Sequence, residues 1–278
     1  MNSLKPPLKW AGGKRWLLSE IQSIWLNLGE PRIIEPFCGG LAISLGLRPK
    51  IAIINDINPH LINFYKWIQK GFTFTPPDHF SNELFYKKRN RFNELILEDS
   101  ISTKESAELF YFLNRTCYNG LCRFNKSGLF NVPIGRFKNV SFLTDFVDYK
   151  TAFGEWIFSS TSFENIETTQ TDFIFADPPY DVDFRSYSKD GFSWKNQIAV
   201  IEWLDCHKGP IVLCNQATNR IVKLYLENGF DLHFLQEQIR ISPKGERKFA
   251  DVVLATKNLD PSLKIRNEVI QPELSLLA

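Results

Sequence analysis

The sequence predicts an α/β protein whose doubly wound, mostly parallel sheet ends in an antiparallel hairpin. Three observations predict it. Short apolar runs alternate with helical stretches, as they do when helices cover both faces of a parallel sheet. The 278 residues are 44% hydrophobic and 14% aromatic, which supplies one large core and excludes disordered and fibrous classes. After Gly229 the alternation stops, and two extended segments follow.

Five runs have the length and residue types of buried strands: Arg32–Phe37, Ile51–Asn55, Trp156–Ser159, Phe173–Ala176 and Ile211–Cys214. Helical stretches lie between them at Lys14–Leu28, Pro59–Gln69, Asn196–Cys206 and Ala217–Asn228. The late segments Phe230–Ile241 and Lys248–Thr256, joined by Ser242-Pro243-Lys244-Gly245-Glu246, read as a hairpin with a basic turn at the sheet edge. From residue 71 to 139 the alternation lapses. Helices near Asn82–Leu97 and Lys104–Asn114 lead into a Gly- and Asn-rich region, Thr116–Asn139. Strands resume beyond it, so the expected organisation is a Rossmann-like domain of residues 1–70 and 140–257, an inserted subdomain of 71–139 and a tail of 258–278.

No run approaches the roughly 20 apolar residues needed to span a bilayer, and the first residues carry Lys5, Lys9 and Lys14 without an apolar core segment. Five scattered cysteines (Cys38, Cys117, Cys122, Cys206 and Cys214) with four isolated histidines fit neither a disulfide framework nor a metal site. A reduced, cytoplasmic protein without membrane or metal is expected. The net charge is only +2, but it is unevenly spread. Between Glu108 and Asp145 there is no acidic residue, while Arg115, Arg123, Lys126, Arg136 and Lys138 all fall inside. Arg240, Lys244, Arg247 and Lys248 form a second group. Two basic patches on a near-neutral chain suit a polyanion held at one face; two solvated loops are the plain alternative.

Two segments carry the chemistry. In Ile33-Ile34-Glu35-Pro36-Phe37-Cys38-Gly39-Gly40 a strand runs into a glycine turn and then a helix, where backbone can approach a ligand and helix N–H groups are exposed. The next strand ends in Asn55-Asp56, whose carboxylate is placed to accept from two ribose hydroxyls. Dinucleotide and methyl-donor folds share this arrangement. The turn lacks G-x-G-x-x-G, and Glu35 beside it would repel a diphosphate while tolerating a cationic or zwitterionic ligand. In Phe173-Ile174-Phe175-Ala176-Asp177-Pro178-Pro179-Tyr180 a buried strand delivers an acid, two prolines and an aromatic ring at its carboxyl end. The Asp177 carboxylate and the Pro178 carbonyl can each accept one hydrogen of an exocyclic amine, with Tyr180 stacked on the base. Withdrawing both hydrogens frees the nitrogen lone pair from ring conjugation, so positioning rather than a strong base supplies the nucleophile.

Asp177-Pro178-Pro179-Tyr180 resembles the D/N-P-P-Y/F motif of amino-methyltransferases. Leu8-Lys9-Trp10-Ala11-Gly12-Gly13-Lys14 resembles the N-terminal motif of the Dam family of S-adenosylmethionine-dependent DNA adenine-N6 methyltransferases. Tyr118-Asn119-Gly120-Leu121-Cys122-Arg123-Phe124-Asn125 and Gly128–Lys138 resemble that family's target-recognition loop. The likeness runs from about Leu8 to Thr256 with the motifs in the family's order. It implies transfer of a methyl group from S-adenosyl-L-methionine to N6 of a flipped adenine in double-stranded DNA, within GATC. By the resemblance, Trp10, Lys14, Glu35, Pro36, Phe37, Asp56 and Asp177 hold the donor, and Asp177, Pro178, Pro179 and Tyr180 form the catalytic corner. Arg123 reads guanine. Lys9, Leu121 and Pro133 meet other bases, Tyr118 fills the space left by the adenine with Asn119 beside it, and Lys138 lies on DNA. A monomer is expected, and Lys244, Arg247 and Lys248 are expected on phosphates.

Two departures from the family pattern stand out. Phe37-Cys38-Gly39-Gly40-Leu41 replaces F-x-G-x-G, so Leu41 stands where glycine is usual and donor affinity is expected to change. Phe137 stands where similar members carry tyrosine, at the loss of one hydrogen bond. A catalytically impaired DNA-binding scaffold and transfer to cytosine N4 or RNA are the alternatives.

Overall fold

A computed structural model describes residues 4–137, 139–181, 192–239 and 248–260. Lys138, Arg240, Lys244, Arg247, the expected hairpin turn and the tail beyond residue 260 lie outside the described residues. So does the Lys248 side chain.

The fold is α/β, with one seven-stranded, mostly parallel sheet of order β3-β2-β1-β4-β5-β7-β6. The strands are β1 (Ile33–Glu35), β2 (Ile51–Asn55), β3 (Glu155–Ser159), β4 (Phe173–Ala176), β5 (Ile211–Gln216), β6 (Asp231–Ile239) and β7 (Lys248–Lys257). The expected C-terminal hairpin is present: β6 pairs antiparallel with β7 from Asp231 opposite Thr256 to Ile239 opposite Lys248. The chain divides into two compact units, Met1–Ile21 with Cys38–Ser162, and Gln22–Phe37 with Phe163–Ala278.

In the first unit β2 pairs parallel with β3. β3 alternates exposed and buried residues, as an edge strand does, with Ile157 outside and Trp156 inside. Helix α1 (Leu18–Asn27) precedes β1, and the first unit's later helices include α2 (Ser44–Leu47), α3 (Pro59–Gln69), α4 (Asn82–Leu97), α5 (Lys104–Thr116) and α6 (Val147–Ala152). Side-chain caps start three of them: Asn58 for α3 with Pro59 following, Ser81 for α4 and Thr103 for α5. Phenylalanine-rich faces pack their core; Phe64 stacks on Tyr111 at 5.3 Å, and Phe72 meets Phe146 at the same separation. The segment that interrupts the strand–helix alternation leaves and re-enters at one place, where Thr73 bridges Asp145.

In the second unit β1, β4 and β5 pair in parallel and β7 joins β5 antiparallel. Every residue of β4 is buried, which accounts for its unbroken Phe-Ile-Phe-Ala run. Helices α7 (Trp194–Cys206) and α8 (Asn219–Glu227) are capped by Ser193 and Thr218. Bidentate Arg32–Asp172 bonds of 2.8 Å tie the start of β1 to the start of β4.

Candidate active site and nucleic-acid interface

In the first unit the glycine turn closes on the protein itself. A Cβ at Gly39 would lie 2.6 Å from the Trp10 indole nitrogen, and one at Gly40 would lie 2.9 Å from the Trp10 Cβ. The pair is small because Trp10 packs across it. The helix expected after the turn is present and short, the four residues of α2, and Leu41 to Leu45 are buried. Leu41 keeps the left-handed backbone that favours glycine, φ 61°, with its side chain fully buried. Lys14 is also buried, and its ammonium folds back onto the Gly12 carbonyl.

Asp56 follows β2. Its Oδ2 accepts from the Gly39 N–H and its Oδ1 from the Asn58 N–H, both at 3.0 Å. Burial pushes the carboxyl above its ordinary range, and the two N–H bonds oppose that rise. A carboxylate has about four acceptor positions, so this one retains capacity for two hydroxyl donors.

The Gly- and Asn-rich stretch, read as loop, is a hairpin. Cys117 bridges Ile134 and Phe124 bridges Phe130, both antiparallel. Tyr118 N–H donates to the Pro133 carbonyl at 2.9 Å, and the Asn125–Gly128 tip closes by a Gly128-to-Asn125 bond of the same length. Asn119 takes φ 53°, a conformation asparagine tolerates. Tyr118, Asn119, Leu121, Arg123 and Pro133 all stand exposed on this frame. Arg123 is aimed by its neighbour across the hairpin: Nε donates to the Asn131 Oδ1 at 2.8 Å and Nη2 to the Asn131 carbonyl at 3.5 Å. Lys9 is half-buried. Its Nζ donates to the Arg115 carbonyl at 3.0 Å and lies 4.1 Å from the centre of the Phe137 ring, while burial and Arg115 lower its pKa. Phe137 thus serves as a platform for Lys9 and packs over Gly135.

In the second unit Glu35 and Pro36 are buried at the end of β1. The Phe37 ring meets Phe163 at 5.3 Å and Phe192 edge-on at 5.8 Å. Beyond β4, Pro178 is buried, Asp177 and Tyr180 are half-buried, and Pro179 is exposed. Tyr180 Oη lies 3.3 Å from the Cys214 sulfur on β5. The Pro179 carbonyl accepts from Gln197 Nε2 at 2.8 Å, and Gln197 Oε1 in turn accepts from Asn215 at 3.1 Å. Asn215 also donates to Tyr225 and accepts the Asp181 N–H. Asp181, buried, takes a bidentate grip from Arg220 and a bond from Thr218, and Arg220 lies 4.9 Å from the Trp194 ring centre.

The profile of the D12 class N6 adenine-specific DNA methyltransferases matches residues 10–241. The chain belongs to this family. It is 32% identical to a retron Ec67 DNA adenine methylase of Escherichia coli, over 95% of this chain and 97% of that one. It is also 32% identical to a DNA adenine methylase of Vibrio cholerae (89% and 94% covered) and to the type II methyltransferase M.MjaIII of Methanocaldococcus jannaschii (88% and 95%). The enzyme is an adenine-specific DNA methyltransferase whose methyl donor is S-adenosylmethionine.

The acceptor capacity of Asp56 fits the ribose diol of that donor, and no Asp, Glu, His and Cys grouping among the described residues could hold a metal. No helix of the described residues is long and apolar enough to cross a membrane. The methyltransferase also uses residues that motif reading passed over. Gln197, Asn215, Asp181 and Arg220 anchor the loop after β4, and Asn131 holds Arg123. Each is an ordinary polar residue on a helix, strand or loop, and its partner lies too far along the sequence for local spacing to reveal. The acid one place past the motif, Asp181, was the available signal.

Proposed function

We propose that the enzyme methylates the adenine of GATC in duplex DNA after that base has left the helix, within the cytoplasm. The observation that carries this reading is the hairpin: exposed Tyr118, Leu121 and Pro133 share one small frame with a guanidinium whose direction Asn131 fixes. Arg123 then reads guanine with two donors, worth about 1–3 kcal/mol of discrimination. Leu121 and Pro133 suit a thymine methyl, and Tyr118 fills the vacated stack, where unstacking costs a few kcal/mol. Lys9 with Phe137 beneath it, and Lys138, complete the DNA-facing set. Five free thiols, three of them buried, fit a reducing compartment.

Asp56 would hold the donor's ribose, with Trp10, Lys14, Glu35, Pro36, Phe37 and Asp177 as the other donor residues. Bound S-adenosylmethionine supplies an electrophilic methyl group on a sulfonium. Asp177 and the Pro178 carbonyl accept the two N6 hydrogens and Tyr180 stacks on the base. The Pro179 carbonyl is held by Gln197, which leaves Pro178 as the carbonyl acceptor of the pair. Tyr180, bonded toward Cys214, keeps its ring plane, so the corner is preorganised.

Incubation with labelled donor and GATC duplexes, followed by nucleoside analysis, tests this. N6-methyladenine is expected, and Asp177→Ala should slow its formation about 10²- to 10³-fold. Label in N4-methylcytosine, or equal labelling of duplexes lacking GATC, contradicts the reading.

A further inference from the structure

Asp56 and the recognition hairpin are joined by one residue. Asn58 donates its main-chain N–H to Asp56 Oδ1 at 3.0 Å and its side-chain amide to the Cys122 sulfur at 3.2 Å. Its Oδ1 meanwhile accepts from the His60 and Leu61 N–H groups, so every polar group of its side chain is engaged. Cys122 sits between Leu121 and Arg123 and is half-buried. A second tie runs parallel: the His60 ring stacks on Phe124 at 4.9 Å and 16°, and meets Phe92 at 5.0 Å. The start of α3 therefore holds the hairpin through two residues, Asn58 and His60, and Asn58 also holds the Asp56 carboxylate. All of these groups belong to the first unit.

We propose that Asn58 is a positioning residue that couples donor binding to the hairpin. The inference rests on Asp56 as the donor's ribose acid. Two hydroxyls taken by Asp56 fix the carboxylate, the carboxylate fixes the Asn58 main chain, and the Asn58 amide fixes Cys122 and with it the flanking Leu121 and Arg123. Coupling is reciprocal, so a duplex that orders the hairpin tightens the donor by the same factor. The enzyme would then read sequence best when it is already charged for transfer.

Amide hydrogen exchange on the full chain, with S-adenosylmethionine alone and no DNA, tests the link. In the wild type, saturating donor slows exchange of the Leu121, Asn125 and Asn131 amides about tenfold, within the range common for coupled sites. Asn58→Ser retains the α3 cap but cannot reach Cys122. It binds donor with normal calorimetric heat, yet leaves the hairpin amides unchanged. Cys122→Val behaves like Asn58→Ser, and Cys122→Ser, which restores an acceptor, recovers the slowing. Wild-type hairpin exchange indifferent to donor, or a tenfold effect that persists in both Asn58→Ser and Cys122→Val, overturns the proposal. Asp56→Asn separates the two levels. If it binds donor as the wild type does, the assignment of Asp56 fails and takes the coupling with it. If it loses the donor while the wild-type hairpin stays indifferent, the coupling alone fails.

Discussion

Tyr180 and Asp181 run from β4 into a web of Cys214, Gln197, Asn215, Thr218 and Arg220, most of it inside the second unit's core. Tyr118, Leu121, Arg123 and Pro133 stand in solvent on a hairpin with two bridges, braced from below by His60 and Asn58. The contrast separates two demands. On the proposed function, a corner that accepts hydrogen bonds from an amine needs atoms fixed within tenths of an ångström, and buried, satisfied polar networks supply that rigidity. A surface that must meet base edges needs exposed side chains, and its rigidity comes from the face turned away from DNA.

The largest effect is expected at the corner. Asp177→Ala should lower turnover about 10²- to 10³-fold, the usual cost of one preorganised hydrogen-bond partner. Duplex affinity should stay within about threefold, because the hairpin is untouched; single-turnover kinetics and anisotropy titration separate the two. Equal losses in both would mean that the corner also binds DNA.

The next effect belongs to the brace. Burial lowers the His60 pKa to about 4 from an ordinary 6.5. The unfolded chain therefore takes up a proton that the folded chain refuses between those values. Stability is full above pH 6.5, falls as pH drops toward 4 and levels below it, by up to about 3 kcal/mol. Urea melts from pH 7 to 4 measure it. His60→Leu should flatten the curve over this window, and an unchanged slope would show that another group titrates there.

Arg123→Ala should reduce discrimination at its guanine by about 1–3 kcal/mol, with turnover on saturating GATC duplex nearly unchanged. Single-base-substituted duplexes give the ratio. A uniform loss across all sequences would make Arg123 a phosphate contact. Gln197→Leu should cost about 1–3 kcal/mol in stability by stranding the Pro179 carbonyl and Asn215, and should lower kcat more than it raises KM. A stable variant with normal kcat would show the web to be dispensable for catalysis.

Much of this was legible in the sequence for a physical reason. Buried parallel strands such as Phe173–Ala176 must be apolar throughout, and caps such as Asn58-Pro59 mark helix starts, so α3 and α4 begin and end where the pattern places them. The Asp-Pro-Pro-Tyr segment stood out as a candidate because its residues adjoin in the chain. The hairpin was less so: its two bridges are too sparse to impose a period-two pattern, and Asn and Gly at its turn read as loop. The packing of Trp10 against the glycine pair was not legible, because the two lie some 29 residues apart in the chain. Leu41 shows the same limit, since a left-handed leucine is tolerated only where the core claims its side chain.

In the proposed division of labour, one corner performs the transfer while a separate hairpin chooses the site. Mapping methylated adenines across the DNA of cells that express the wild type or Arg123→Ala tests it most directly. N6-methyladenine should be confined to GATC for the wild type and should spread to sites altered at guanine, at comparable total methylation, for the variant. Wild-type marks at a different sequence, or a variant that keeps the same map, would contradict it.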